Sequence, residues 1–174
     1  FSDSTGNLIW YSDGFAVFDR SFEEMGNGRL FDTLVDSKYT ETQGVLALPD
    51  PGDPDRSYAL FLAGDYAIID HTMDSGIGGI VGPPYLKNWY APGPPIGGTE
   101  KMHAVRHANG RDWWILNIIA DGTPDTPRAP RLGVSLLDPQ GINPMHEAEL
   151  GLQEAESIDW FFGELRVSHG GSKI

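Results

Sequence analysis

The sequence predicts an all-β fold, and within that class a partial β-propeller. It would hold about three blades, each an antiparallel sheet of four strands, belonging to a larger propeller. Three observations carry this expectation. Short runs rich in Tyr, Phe, Trp, Val and Ile recur along the 174 residues, and such side chains suit a pleated, half-buried surface. The 22 glycines and 13 prolines that separate them are spread through the chain rather than pooled in one linker, so they punctuate strands with turns. A strand–turn–strand unit also returns, with turns at Gly6, near Asp53, at Gly110 and at Gly171, at intervals of about 47, 57 and 61 residues. A hairpin returning every ~40–60 residues in a β-rich chain is the mark of propeller blades.

The elements follow in order. "FSDSTGNLIWY" reads as strand, polar turn and aromatic strand. In "LIWYSDGFAVF", Asp13-Gly14 lies between two apolar runs, a strong hairpin signal. "LALPDPGDPDRSYALF" repeats the unit, and "YAIID" adds a further strand. "DSGIGGIVGPP" (74–84) is a glycine-rich connection open to positive φ. "AVRHANGRDWWIL" is strand, Asn109-Gly110 turn and strand. Its Trp113 and Trp114 must point to opposite faces, one toward each neighbouring blade. "LGVSLLD" supplies another strand, and only "HEAELGLQEAE" (146–156) has a helical flavour, though an acidic surface loop accounts for it as well. "WFFGELRV" is the last strand, and "LRVSHGGSKI" opens the unit again. The expected blades are 1–50, 51–110 and 111–174, one segment truncated at both ends. Three blades do not close a ring, since propellers use about 4–8. An open arc leaves a bare sheet edge, so the remaining blades or downstream domains of the same protein are the expected partners.

Composition narrows the function. A net charge of −13 and a pI near 4.5 argue against nucleic acid, which needs clustered Lys and Arg. They also disfavour an anionic membrane surface. No apolar run approaches the ~20 residues of a membrane span. With no cysteine, neither disulfides nor thiolate metal sites are available.

Candidate chemical motifs are weighed against architecture in turn. His103 and His107 stand four apart, a zinc pair on a helix. On a strand they would lie about 13 Å apart at ~3.3 Å per residue, too far to share one ion, and Ala104 stands where a metalloprotease would need Glu. No metal or cofactor is therefore expected. Asp50, Asp53 and Asp55 form an oxygen-rich loop, but Phe61 occupies the place of the calcium-loop Glu, so a solvated turn is the better reading. The same holds for Asp3 and Asn7. In the 74–84 stretch Val81 replaces the third glycine of a dinucleotide fingerprint, and Pro83-Pro84 follow where a helix should start. The 25 carboxylates show no local pairing, and neither an Asp box nor a nucleophile elbow occurs. No catalytic residue emerges. Trp89 and Tyr90, before a Pro/Gly loop, are the candidate ligand-binding residues, since exposed aromatics stack sugars and peptides.

"FSDSTGNLIWYSDGFAVFDRSFEEMGNG", "QGVLALPDPGDPDRSYALF", "YAIIDHTMDSGIGGIVG" and "EKMHAVRHANGRDWWIL" resemble consecutive landmarks of one family. It comprises secreted and surface proteins of Bacteroidota with an N-terminal YVTN/WD-like β-propeller, many carrying a type IX (gliding-motility-associated) C-terminal sorting domain. At the last turn His169-Gly170-Gly171 stands where the family has Pro-Asp-Gly. The resemblance implies a propeller and export, and no catalytic residues. The expected function is thus a non-enzymatic, extracellular or cell-surface structural and binding module of adhesion type, with a glycan or protein ligand. The alternatives are a secreted hydrolase or lyase on the same scaffold, since fold does not fix function, or a subunit of a surface assembly.

Overall fold

The computed structural model describes residues 1–29, 44–61, 65–82, 87–88, 98–119, 130–144, 146–149 and 165–167. Its described elements are strands apart from one short turn of helix, α1 (Met73–Gly76), so the all-β expectation holds.

Three meanders follow one another. β1 (Trp10–Ser12), β2 (Ala16–Asp19) and β3 (Glu24–Arg29) are antiparallel, and the bridge Ser2↔Leu8 stands where a strand ahead of β1 would lie. β4 (Val45–Pro49), β5 (Arg56–Phe61) and β6 (Asp65–Asp70) form the second. The outer side of β6 is taken in two pieces: β7 (Gly79–Ile80) at its end and β8 (Lys87–Asn88) at its start. β9 (Gly98–Arg106), β10 (Trp113–Ile119) and β11 (Arg131–Asp138) form the third, and its outer side is split in the same way, between β12 (Gly141–Ile142) and β13 (His146–Glu149). Strand pairing thus joins β4 to β5 across residues 50–51 and β9 to β10 across 110–111. A parallel pair, Gly26↔Gly79, links the first two meanders into one eight-stranded sheet whose path curls nearly closed, like a barrel. The third meander is a separate five-stranded sheet.

The core explains why β5 and β10 read as continuous apolar runs rather than alternating ones. Both are largely covered on both faces, where most side chains are apolar and Ser57 and Asn117 are the buried polar exceptions. Ala59 and Phe61 turn toward the first meander, joining Trp10, Val17 and Met25 with Ala67, Ile69 and Ile80. Tyr58 and Leu60 turn the other way, joining Leu48 with Met102, Ile115 and Leu137 of the third meander. On the far side of that meander, Leu116, Ile118 and Leu132 pack with Leu165 and Val167. The result is a succession of layers, each sealed to the next by one face of β5 or β10. Each fully buried aliphatic or aromatic side chain contributes about 1.5–3 kcal/mol.

Two expectations change. Residues 146–149 are strand β13, exposed throughout, not helix or loop; pairing with β11 supplies the backbone hydrogen bonds that propensity alone could not foresee. Trp113 packs between the second and third meanders, but Trp114 is 38% exposed, resting on His107 at 5.3 Å instead of on a further layer.

Candidate functional site

The turns show where much of the acidic excess goes. Asp3 Oδ1 accepts the backbone N–H groups of Thr5 and Asn7 and the Thr5 hydroxyl, and its Oδ2 accepts from the Asn7 side chain. Asp50 Oδ1 accepts the N–H of Gly52, and in the equivalent turn of the third meander His107 Nδ1 accepts that of Asn109. At the far end of each meander's third or second paired strand the device returns: Asp19, Asp70 and Asp138 each accept the N–H two residues on, from Ser21, Thr72 and Gln140. A short side-chain oxygen closing such a turn replaces a backbone hydrogen bond. Bonds donated by Thr5 and Asn7 hold the Asp3 carboxyl well below the usual range. Thr72 does the same for Asp70, and Arg111 leads for Asp112.

These aspartates are therefore turn closures. In the loop that offered oxygen ligands for calcium, Asp53 serves likewise: it accepts the Asp55 N–H and pairs with Arg56 at 3.4 Å. The glycines of 74–82 behave as the sequence suggests, with positive φ at Gly76, Gly78 and Gly82. Asp74 and Ser75 share that left-handed region, which the sequence did not signal. His103 lies in β9, opposite Leu116, while His107 closes a turn. Among the described residues no group of three or more His, Cys, Asp and Glu could hold a metal ion.

One arrangement has the form of catalytic chemistry. Ser57 Oγ lies 2.9 Å from His71 Nε2, the contact of a nucleophile with its base. Sequence reading missed it because the two residues sit on neighbouring strand and turn positions 14 apart and belong to no motif. Its surroundings decide its role. Ser57 is 0% exposed, and Trp10 Nε1 donates to the same oxygen at 2.8 Å. The indole N–H is a donor only, so it anchors Ser57 Oγ in the core, where no exposed surface lets a substrate atom reach it. Phe1 stacks on Trp10 at 5.7 Å and lies over His71 at the same distance, closing the outer side. This relay ties the first meander to the second.

No protein-family model, curated protein or solved structure matches this chain. The site has to be read from its own geometry.

A different surface has the form of binding chemistry. On the outer face of the first meander, Tyr11 and Phe18 are direct cross-strand partners, stacked at 5.0 Å and 14°. Phe22 tilts against Tyr11 at 5.9 Å and is 71% exposed. Its φ of 67° lies in the left-handed region. The Asp19–Glu23 turn matches the Asp3–Asn7 turn bond for bond, and there the corresponding residue is Gly6. A phenylalanine placed where glycine is natural, with its ring in water, is costly for stability. Trp89 and Tyr90, the residues expected from sequence to contact a ligand, lie outside the described residues.

Proposed function

We propose that this chain is a segment of a β-propeller that acts outside the cell as a non-catalytic structural and binding module. The repeat supports the architecture. Successive meanders share a first turn closed by Asp3, Asp50 or His107 and a later turn closed by Asp19, Asp70 or Asp138. "AVFDRS", "AIIDHT" and "SLLDPQ" place the latter three aspartates in register. Apolar cores lie between successive meanders, as between blades, although one parallel pair joins the first two meanders in a single sheet. Export and the surface location rest on the resemblance to the Bacteroidota proteins.

The observation that carries the binding half is the Tyr11–Phe18–Phe22 cluster, half-buried at Tyr11 and Phe18 and exposed at Phe22, with Phe22 kept in a conformation that stability alone disfavours. Neutral aromatic faces suit sugar rings or proline-rich peptides. The experiment is a glycan and peptide array screened with the wild-type chain, with Phe22→Ser and Tyr11→Ser, and with Trp89→Ala as a separate arm. Binding lost in the first two variants, with unchanged melting temperature, is the expected result. No ligand, or binding that none of the substitutions alters, overturns the reading.

The Ser57–His71 contact is the specific observation in favour of a hydrolase on the same scaffold. That reading requires Ser57 to react with a fluorophosphonate probe. Its buried oxygen and its bond from Trp10 predict no labelling.

A further inference from the structure

The relay has a property beyond holding two layers together. Trp10 Nε1–H can only donate, so Ser57 Oγ must accept from it. The one hydroxyl hydrogen of Ser57 is then free to be donated, and His71 Nε2 stands 2.9 Å away. With the imidazole neutral and its hydrogen on Nδ1, both the Trp10 indole N–H and the Ser57 hydroxyl are satisfied. With a proton on Nε2, the imidazole becomes a second donor to the same oxygen, and the Ser57 hydroxyl loses its acceptor at a position that is 0% exposed. A buried hydroxyl without a partner is costly.

We propose that the Trp10–Ser57–His71 relay is an acid-sensitive latch: a proton gained at His71 Nε2 removes the acceptor of Ser57 and loosens Trp10, and with it the first meander, from the second. The charges around His71 give the motion a direction. On the turn between β4 and β5 stand Asp53 and Asp55, and the Asp55 backbone carbonyl accepts the His71 backbone N–H at 2.8 Å. Asp70 precedes His71 and is held by Arg56 of β5 at 3.1 Å. From the first meander the Phe1 ring lies 5.7 Å from the imidazole, tilted by 39°. An imidazolium is thus drawn toward the three aspartates. Burial holds the His71 pKa below its usual 6.5, against the opposing pull of these carboxylates, which sets the latch on the acid side of neutrality.

The other two repeats lack it. The residue after the turn-closing aspartate is Arg20 in the first and Pro139 in the third, so His71 alone among the three can read pH in this place.

The test is NMR of the whole chain between pH 4.5 and 8, following the His71 ring protons and hydrogen exchange of the Trp10 indole N–H. Protection of the indole N–H, its exchange relative to the free indole rate at the same pH, should fall in acid by about ten- to a hundredfold, the population equivalent of one orphaned buried hydroxyl, with the same midpoint as the His71 ring. His71→Gln keeps an acceptor without titrating there, so its indole should stay protected throughout the range. His71→Phe has no acceptor and should exchange rapidly at every pH. Indole protection that is flat in the wild type, or that falls with an unchanged midpoint in His71→Gln, overturns the latch. If His71→Phe does not fold, the Gln variant alone decides.

Discussion

Asp70 and Asp138 occupy the same place in successive meanders. Each ends the third strand of its meander, and each accepts the N–H of the residue two positions on, at 3.0 Å from Thr72 and 2.8 Å from Gln140. Asp138 is further tied to the Asn143 side chain at 2.9 Å, where the chain turns from β12 toward β13.

Removing either carboxylate should therefore loosen its turn without touching the core. Asp138→Ala should cost about 1 kcal/mol, comparable to loss of a helix cap, and Asp138→Asn should recover most of it, since an amide oxygen closes the same turn. Urea denaturation with an unchanged m value would check this. Equal losses for Ala and Asn would mean that charge, not the turn, was at stake.

Stability should fall in acid in two stages. The folded pKa of His71 lies below 6.5, so the unfolded chain binds more protons just under that value. The His71 contribution is complete above pH 6.5 and is lost as pH drops through the folded pKa. The carboxyls of Asp3, Asp70 and Asp112 lie below their usual 3.8. Theirs is complete above 3.8 and is lost only in strong acid. Asp3 is open to solvent, which screens its share, whereas Asp112 is buried. Melting temperature against pH should show both declines, with His71→Gln lacking the first.

The buried side of the relay is tested by Trp10→Phe, which keeps a ring in the core but removes the donor to Ser57. A loss of about 1–3 kcal/mol is expected. Ser57→Ala in the same background should add little, because the two residues share one interaction. Full additivity in that double-mutant cycle would show the relay to be energetically idle.

Gly28→Ala should be among the most damaging small substitutions in the chain. A Cβ there would stand 2.6 Å from the Val17 carbonyl oxygen and 2.7 Å from that of Met25, and both are backbone atoms that cannot turn aside. About 1–3 kcal/mol of overpacking is expected. By contrast, Gly82→Ala has nothing within 4 Å, and only its φ of 96° opposes it. The ranking of the two by thermal melts is the check.

Phe22→Gly should stabilise the fold by up to about 1 kcal/mol, because the residue has φ 67° in a turn whose counterpart carries Gly6. The same variant should lose ligand in the array. A stabilised variant with intact binding would separate the strain from the function.

Much of the fold was legible in local sequence. Turn chemistry at Asp13-Gly14 and Asn109-Gly110, aromatic and β-branched runs between turns, and the recurrence of one hairpin at Gly6, Asp53 and Gly110 all reappear as paired strands. Strand β13 was not legible, because Glu147, Ala148 and Glu149 have no β propensity to show, and only the edge of β11 holds them extended.

What the sequence determined by itself was a class and a rhythm, because turns and strand periodicity depend on residues near one another in the chain. Asp13, Asp50 and His107 act on neighbours within three residues, so their roles can be read in one dimension. Only the tertiary structure decided which strands join, through the parallel pair Gly26↔Gly79, and which polar groups meet inside. Trp10 and Ser57 are 47 residues apart, and no local rule links an indole to a serine at that distance. Their contact exists because folding stacks one meander on the next, leaving a buried donor that must find an acceptor.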